Sequence, residues 1–177
     1  MIGLDALTSR WPGVTCNVGV VEAGTRSNVV AGRAVLQVDL RATDRAGLEA
    51  ASAAIEALAA APTVPDVGVA VVERHRHWPM EKLPRATLLV EHARALAGRL
   101  GFAVRDASTG GASDANTTAG MGVPTLDGLG PIGGLDHSPD EWLDVSSIVP
   151  RTALFAALLL ATGRDPEVAA WRASAPR

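Results

Sequence analysis

"VTCNVGVVEAGTRSNVVAGRAVLQVDLRATDRAGLEAASAAIEALAAA" (residues 14–61) passes from one periodicity to another within a single run. Over residues 14–24 β-branched residues alternate, "GTRSN" (24–28) supplies turn formers, and "RAVLQVDLRA" (33–42) alternates again with Ala34, Leu36, Val38 and Leu40 on one face. That pattern predicts an antiparallel hairpin. Gln37, Asp39 and Arg41 fall on the opposite face of its second strand. From Thr43, the expected N-cap, the spacing of Leu48, Ile55 and Leu58 becomes helical, and the run stops before Pro62. A further alternating strand is expected in "DVGVAVVERHRHW" (66–78), and Met1 to Leu7 reads as the last turns of a helix closed by Pro12 and Gly13. Strand, strand, helix, strand is a partial ferredoxin-like (split βαβ) domain without its first strand and most of its first helix.

"PMEKLP" (79–84) marks a change of rhythm. Beyond it, "RATLLVEHARALAGRLG" (85–101) is an amphipathic helix ended by Gly101 and "FAVRD" (102–106) a short strand. A short helix is expected over Asp114 to Gly120, a buried strand and loop in "GVPTLDGLG" (122–130), and a closing helix from Ser146 to Gly163 with "DVSS" as its cap. Helices alternating with short apolar strands are the mark of an α/β layer, but so few strands make an incomplete one. The expected organisation is a domain over residues 1–79, an incomplete α/β domain over 80–163, and a frayed tail over 164–177.

Composition narrows the function classes. With 47% hydrophobic residues and a formal net charge of −3, the 177 residues fall in the soluble globular class. No basic stripe with interleaved aromatics appears and Tyr is absent, so no nucleic-acid partner is expected. The apolar run Ala153 to Ala161 is short of the roughly 20 residues of a membrane span, so no membrane is expected either. The lone Cys16 reads as a buried apolar side chain in a reducing compartment, and with no visible signal peptide the cytoplasm is the default location.

The glycines of "TGGASDAN" (109–116) allow two readings: backbone N–H groups at Gly110 and Gly111 that approach an anionic or carbonyl ligand, or a turn into a helix capped by Ser113 or Asp114. A phosphate loop is disfavoured by the missing lysine, and a hydrolase elbow by Ala115, which stands where a second glycine belongs. His137 follows Gly133 and Gly134 in a loop, where functional side chains collect, and Asp136 or Glu141 could orient its ring for a metal. His75 and His77 share a strand face beside Arg74 and Arg76, either capping an anion or lying solvated at a strand end. His92 is given no role.

Taken in order, "VGVVEAGTRSNVVAGRAVLQVDLR", "WPMEKLP", "TGGASDAN", "GVPTLDGLGPIGG" and "DHSPDEWLDVSSIVPR" resemble the C-terminal part of the dinuclear-zinc metallopeptidase and amidohydrolase family. That family includes glutamate carboxypeptidase, acetylornithine deacetylase, succinyl-diaminopimelate desuccinylase and aminoacylase, and the resemblance is strongest to the glutamate carboxypeptidase branch. It implies that residues 1 to about 77 are most of a lid or dimerisation domain and that the chain forms a homodimer through it. It further implies that Asn28 and Arg41 hold the substrate, a small peptide or N-acyl amino acid, with the guanidinium on its free carboxylate. Gly110 and Gly111 would line the substrate pocket, His137 would be the last zinc ligand, Glu141 would support it, and Arg76 would lie near a second substrate-binding arginine.

Relatives of this kind place the remaining metal ligands and a glutamate general base ahead of the lid, and this chain does not show them. The resemblance therefore predicts the C-terminal portion of a zinc-dependent carboxypeptidase-like hydrolase, inactive alone, binding its zinc weakly and needing an N-terminal catalytic part. The alternative is a non-catalytic lid module that self-associates.

Overall fold

A computed structural model describes residues 1–174 and divides the chain into two compact units. One comprises Met1–Glu81 with Gly110–Met121, the other Lys82–Thr109 with Gly122–Arg177.

In the first unit, α1 (Ile2–Asp5) is a single turn whose following chain carries Leu7 into a core shared with Val14, Cys16, Leu48 and Ala51. The Thr8 hydroxyl donates to the Cys16 carbonyl (2.8 Å) and accepts from the Cys16 N–H (3.0 Å), which fixes the start of β1 (Thr15–Ala23). Cys16 is buried, as its lone apolar reading requires, and that burial pushes its thiol pKa up. β1 pairs antiparallel with β2 (Ala34–Arg41) from Thr15 opposite Arg41 to Ala23 opposite Ala34, with one bulge between Val18 and Val20. The predicted hairpin is therefore present.

α2 (Arg45–Ala60) follows with its cap one residue later than expected: the Asp44 carboxylate, not Thr43, accepts the Gly47 N–H at 2.7 Å. An extended Asp44 brings an acceptor to the free N–H groups of the first turn. Two further expectations fail. Leu36 and Val38, assigned to a core face, remain 39% and 36% exposed. Residues 66–78 form no strand, and Val67, Val69, Val71 and Val72 are exposed. Alternation confers the tendency to pair, but a ladder needs an edge to pair with, and the sheet stops at two strands. The split βαβ arrangement is not completed.

In the second unit, α3 (Ala86–Arg99) packs on α5 (Ile148–Arg164), burying Val90, Ala93 and Ala97 together with Leu154 and Leu158. α3 ends as predicted at Gly101, whose φ of 87° only glycine adopts freely. A 3₁₀ turn (Val145–Ser147) leads into α5, with the Asp144 carboxylate accepting from the Ser146 N–H at 2.9 Å. Where strands were expected over 102–106 and 122–130 the chain is irregular, and none of these residues is fully buried. Among the described residues of this unit the only sheet is the two-residue pair β3 (Gly133–Gly134) and β4 (Trp142–Leu143).

The chain beyond Arg164, expected to fray, forms α6 (Pro166–Ser174). Asp165 secures it: one carboxylate oxygen accepts from the N–H groups of Glu167 (2.8 Å) and Val168 (3.2 Å), the other meets His92 Nε2 at 2.8 Å. His92 thus ties α3 to the α5–α6 junction, a role its sequence position gave no hint of. The apolar segment is also longer than the run Ala153 to Ala161 suggested, extending over Val145–Arg164. By length and composition alone it is sufficient to cross a membrane.

Candidate functional site

Two of the candidate substrate-binding positions, 69 residues apart in sequence, meet. Arg41, at the end of β2, donates Nη1 to the Gly110 carbonyl at 2.7 Å, and its Nε donates to Asp39 Oδ2 at 2.7 Å. Asp39 lies two residues earlier on the same strand face, so the pleat itself delivers the carboxylate that orients the guanidinium. Both side chains remain more than half exposed, so the pair contributes little to stability and its importance is one of direction. Asn28 lies exposed in the hairpin loop and is not part of this contact; Gly111 follows Gly110 and is exposed.

Behind Gly110, α4 (Asp114–Gly120) has the predicted boundaries. Its entry is a capping box: Ser113 Oγ accepts from the Ala115 N–H (3.1 Å) while Asn116 Oδ1 accepts from the Ser113 N–H (2.9 Å). Of the two candidate caps, Ser113 rather than Asp114 is the one observed. The Asn116 amide donates to the Trp78 carbonyl at 2.8 Å, and Arg45 donates to the Gly120 carbonyl at 3.0 Å while its guanidinium lies 3.8 Å from the Trp78 ring centroid. These contacts fix α4, and with it Gly110, to the unit that carries Arg41. Arg76 joins them only through Trp78, its guanidinium standing 5.0 Å from the ring centroid. Its Nε and Nη2 donate to Glu73, whose carboxyl that hydrogen bond holds below its ordinary value. Asp39, Asn116 and Arg45 were missed as supporting residues, although the period-2 spacing of Asp39 and Arg41 was legible.

In the second unit, His137 is exposed in the loop between β3 and β4. Its φ is 64° and that of Leu135 is 59°, conformations that non-glycine residues hold at a cost of about 1 to 3 kcal/mol and that concentrate at functional sites. Glu141 reaches the His137 backbone N–H rather than its ring, at 3.4 Å. Among the described residues no three His, Cys, Asp or Glu side chains gather to hold a metal. His137 fits one ligand position, not a closed site. A cleft of about 380 Å³ borders Pro131, Arg151 and Phe155, and its lining includes neither His137 nor Glu141.

Residues 12–161 match Peptidase family M20/M25/M40. Carboxypeptidase G2 of Pseudomonas sp. (strain RS-16) is 30% identical over 152 residues, 83% of this chain and 36% of the relative. The uncharacterized protein YqjE of Bacillus subtilis (strain 168) is 27% identical over 148 residues, 82% of this chain and 39% of the relative. The structure of aminopeptidase PepT from Bacillus cereus ATCC 10987 has a TM-score of 0.58 at 23% identity, over 86% of this chain and 40% of that one, a likeness of fold. The chain spans well under half the length of each of these relatives. With the family match running unbroken from the start of the hairpin into α5, across every candidate residue above, the chain belongs to the M20/M25/M40 peptidase family.

Proposed function

We propose that this chain contributes the substrate clamp and one zinc ligand to a metallopeptidase or amidohydrolase that cleaves an amide bond next to a C-terminal amino acid such as glutamate. The observation that carries the reading is the contact of Arg41 with Gly110, which gathers a permanent cation and a glycine backbone at one point of the family-matched region. A guanidinium held by Asp39 at Nε and by a carbonyl at Nη1 keeps Nη2 for the free carboxylate of a substrate, and its charge persists at every working pH. The name of carboxypeptidase G2 supports the carboxylate-bearing side of the scissile bond as the part recognised. Zinc, when bound, would supply Lewis acidity and an activated water. In this chain His137 would donate one imidazole, with Glu141 holding the loop backbone beneath it. The remaining ligands and a general base would come from a polypeptide matching the rest of the relatives' length, continuous with this chain or separate. The 177 residues by themselves are then expected to hydrolyse nothing and to bind zinc only weakly, in the cytoplasm as in solution.

The test is binding rather than turnover. N-acetylglutamate titrated into the labelled chain should shift the NMR signals of Arg41 Nε, Gly110 and Gly111, and Arg41→Ala should weaken the interaction by about tenfold or more, the worth of a charge-assisted pair. The same ligand with its α-carboxylate blocked as an amide should fail to compete. Equal binding of the blocked ligand, or shifts confined to other residues, would sink the reading.

A second reading, a non-catalytic module that self-associates through its hairpin, is favoured by the two-stranded sheet, which leaves Val20, Val21, Leu36 and Val38 exposed.

A further inference from the structure

The loop that carries His137 leaves and rejoins its unit through one set of hydrogen bonds. At its base Gly133 and Gly134 pair with Leu143 and Trp142, and a Cβ on Gly133 would stand 2.8 Å from the Trp142 carbonyl oxygen. Just ahead of that base, the Ile132 N–H donates to Ser147 Oγ at 2.8 Å, and the Ile132 carbonyl accepts from the Asp144 N–H at 2.8 Å. Ser147 Oγ in turn donates to the Asp144 carbonyl at 2.5 Å. With 5% of its surface exposed, Ser147 is the one buried polar residue among those described. One helical turn further along α5, Arg151 donates Nε–H to the Gly130 carbonyl at 2.7 Å and Nη2–H to the Gly128 carbonyl.

We propose that Arg151 and Ser147 are positioning residues for His137. Ser147, at the end of the 3₁₀ turn that leads into α5, and Arg151, in the first turn of α5, stand four residues apart and together hold three alternate backbone positions, Gly128, Gly130 and Ile132. The segment they hold is one that would otherwise wander: Gly128, Gly130, Gly133 and Gly134 give it more conformational freedom than any other residue type would. A planar guanidinium can bridge two carbonyls at a fixed separation, which a lysine ammonium on a flexible stem cannot do with the same precision. The backbone of Leu135 and His137 is thereby kept in its left-handed conformation by bonds made several residues away. The functional meaning of this clamp rests on the proposed role of His137 as a zinc ligand, whereas its geometry does not.

The test compares the whole 177-residue chain with its Arg151→Ala, Arg151→Lys and Ser147→Ala variants by amide hydrogen exchange, and titrates each with Co²⁺ while following the His137 ring protons by NMR. Arg151→Ala should speed exchange across residues 128–143 by about tenfold or more, as expected for two lost charge-assisted bonds, and leave α3 protected as before. It should also weaken Co²⁺ binding at His137 by about tenfold, the usual effect of losing a group that orients a ligand. Arg151→Lys should recover part of both effects, and Ser147→Ala should act most strongly at Ile132. If Arg151→Ala also strips protection from α3, it has unfolded the unit, and Arg151→Lys becomes the deciding variant. Wild-type exchange and wild-type Co²⁺ affinity in the deciding variant overturn the proposal. Co²⁺ that leaves the His137 ring untouched in the unsubstituted chain, while the loop still responds to Arg151→Ala, overturns the ligand reading of His137 alone.

Discussion

Gly120 ends α4 against the Trp78 side chain with no room for a methyl group. A Cβ there would lie 2.7, 2.8 and 2.9 Å from the Trp78 Cβ, Cδ1 and Cγ, and these are root atoms of the indole rather than its movable far end. Trp78 cannot easily retreat, because Arg45 stacks on its ring at 3.8 Å and Asn116 holds its carbonyl. Replacing Gly120 with alanine gains helix propensity of up to about 1 kcal/mol, but overpacking against a fixed ring costs about 1 to 3 kcal/mol. The net outcome expected is a loss of stability, read as a lower midpoint in urea with an unchanged slope. The double variant Gly120→Ala with Trp78→Ala should be less destabilised than the two single effects added together. A Gly120→Ala chain as stable as the parent would show that the indole moves freely and that the hold on α4 is weaker than the geometry implies.

At the scale of elements, the junction of α3, α5 and α6 depends on one carboxylate. The hydrogen bond from His92, followed by the N–H groups of Val168 and Glu167, holds the Asp165 carboxyl below its ordinary value. A folded-state pKa below the unfolded one contributes stability that is complete above the ordinary carboxylate range and is lost as pH falls through the lowered value. Asp165→Asn keeps a good helix cap while removing the charge, so it isolates that contribution. The variant should melt below the parent at neutral pH, and the gap should close as pH falls below the ordinary carboxylate range and through the lowered value. A gap that stays constant over that range would assign the effect to packing instead. His92 and Asp165 are 73 residues apart in sequence, so no local pattern announced the pair. The same distinction separates what the chain revealed early from what it withheld. The hairpin, α3 and the boundaries of α4 follow from interactions within a few residues, such as the Ser113–Asn116 cap, and these were legible. The expected strands over 66–78, 102–106 and 122–130 depended on partners elsewhere, and alternation says nothing about whether an edge is available. Within the site, Asp39 beside Arg41 and Glu141 near His137 were within reach of spacing arguments, whereas Arg41 to Gly110 and Arg151 to Gly128 span 69 and 23 residues and emerge only on folding.

For the whole molecule the notable quantity is apolar surface left uncovered in each unit. On the hairpin, Val20, Val21, Leu36 and Val38 are 36% to 47% exposed; on α5, Val149, Phe155, Leu159 and Leu160 are 47% to 77% exposed. Burying apolar side chains exposed to this extent favours association, so association in solution is the expected behaviour. The two surfaces predict different routes to it. A pairing through the hairpin uses strand edges, which a lysine disrupts by placing charge where another backbone must approach. A pairing through α5 uses only side-chain burial and is indifferent to the hairpin. Sedimentation of the parent chain should therefore show a concentration-dependent rise above the monomer mass. The lid-association reading requires that Val20→Lys with Leu36→Lys return it to the monomer while Leu159→Glu with Leu160→Glu leave it associated. The reverse result would assign association to α5, the helix whose length and composition also suffice for a membrane span, and would remove the hairpin as the basis of a homodimer.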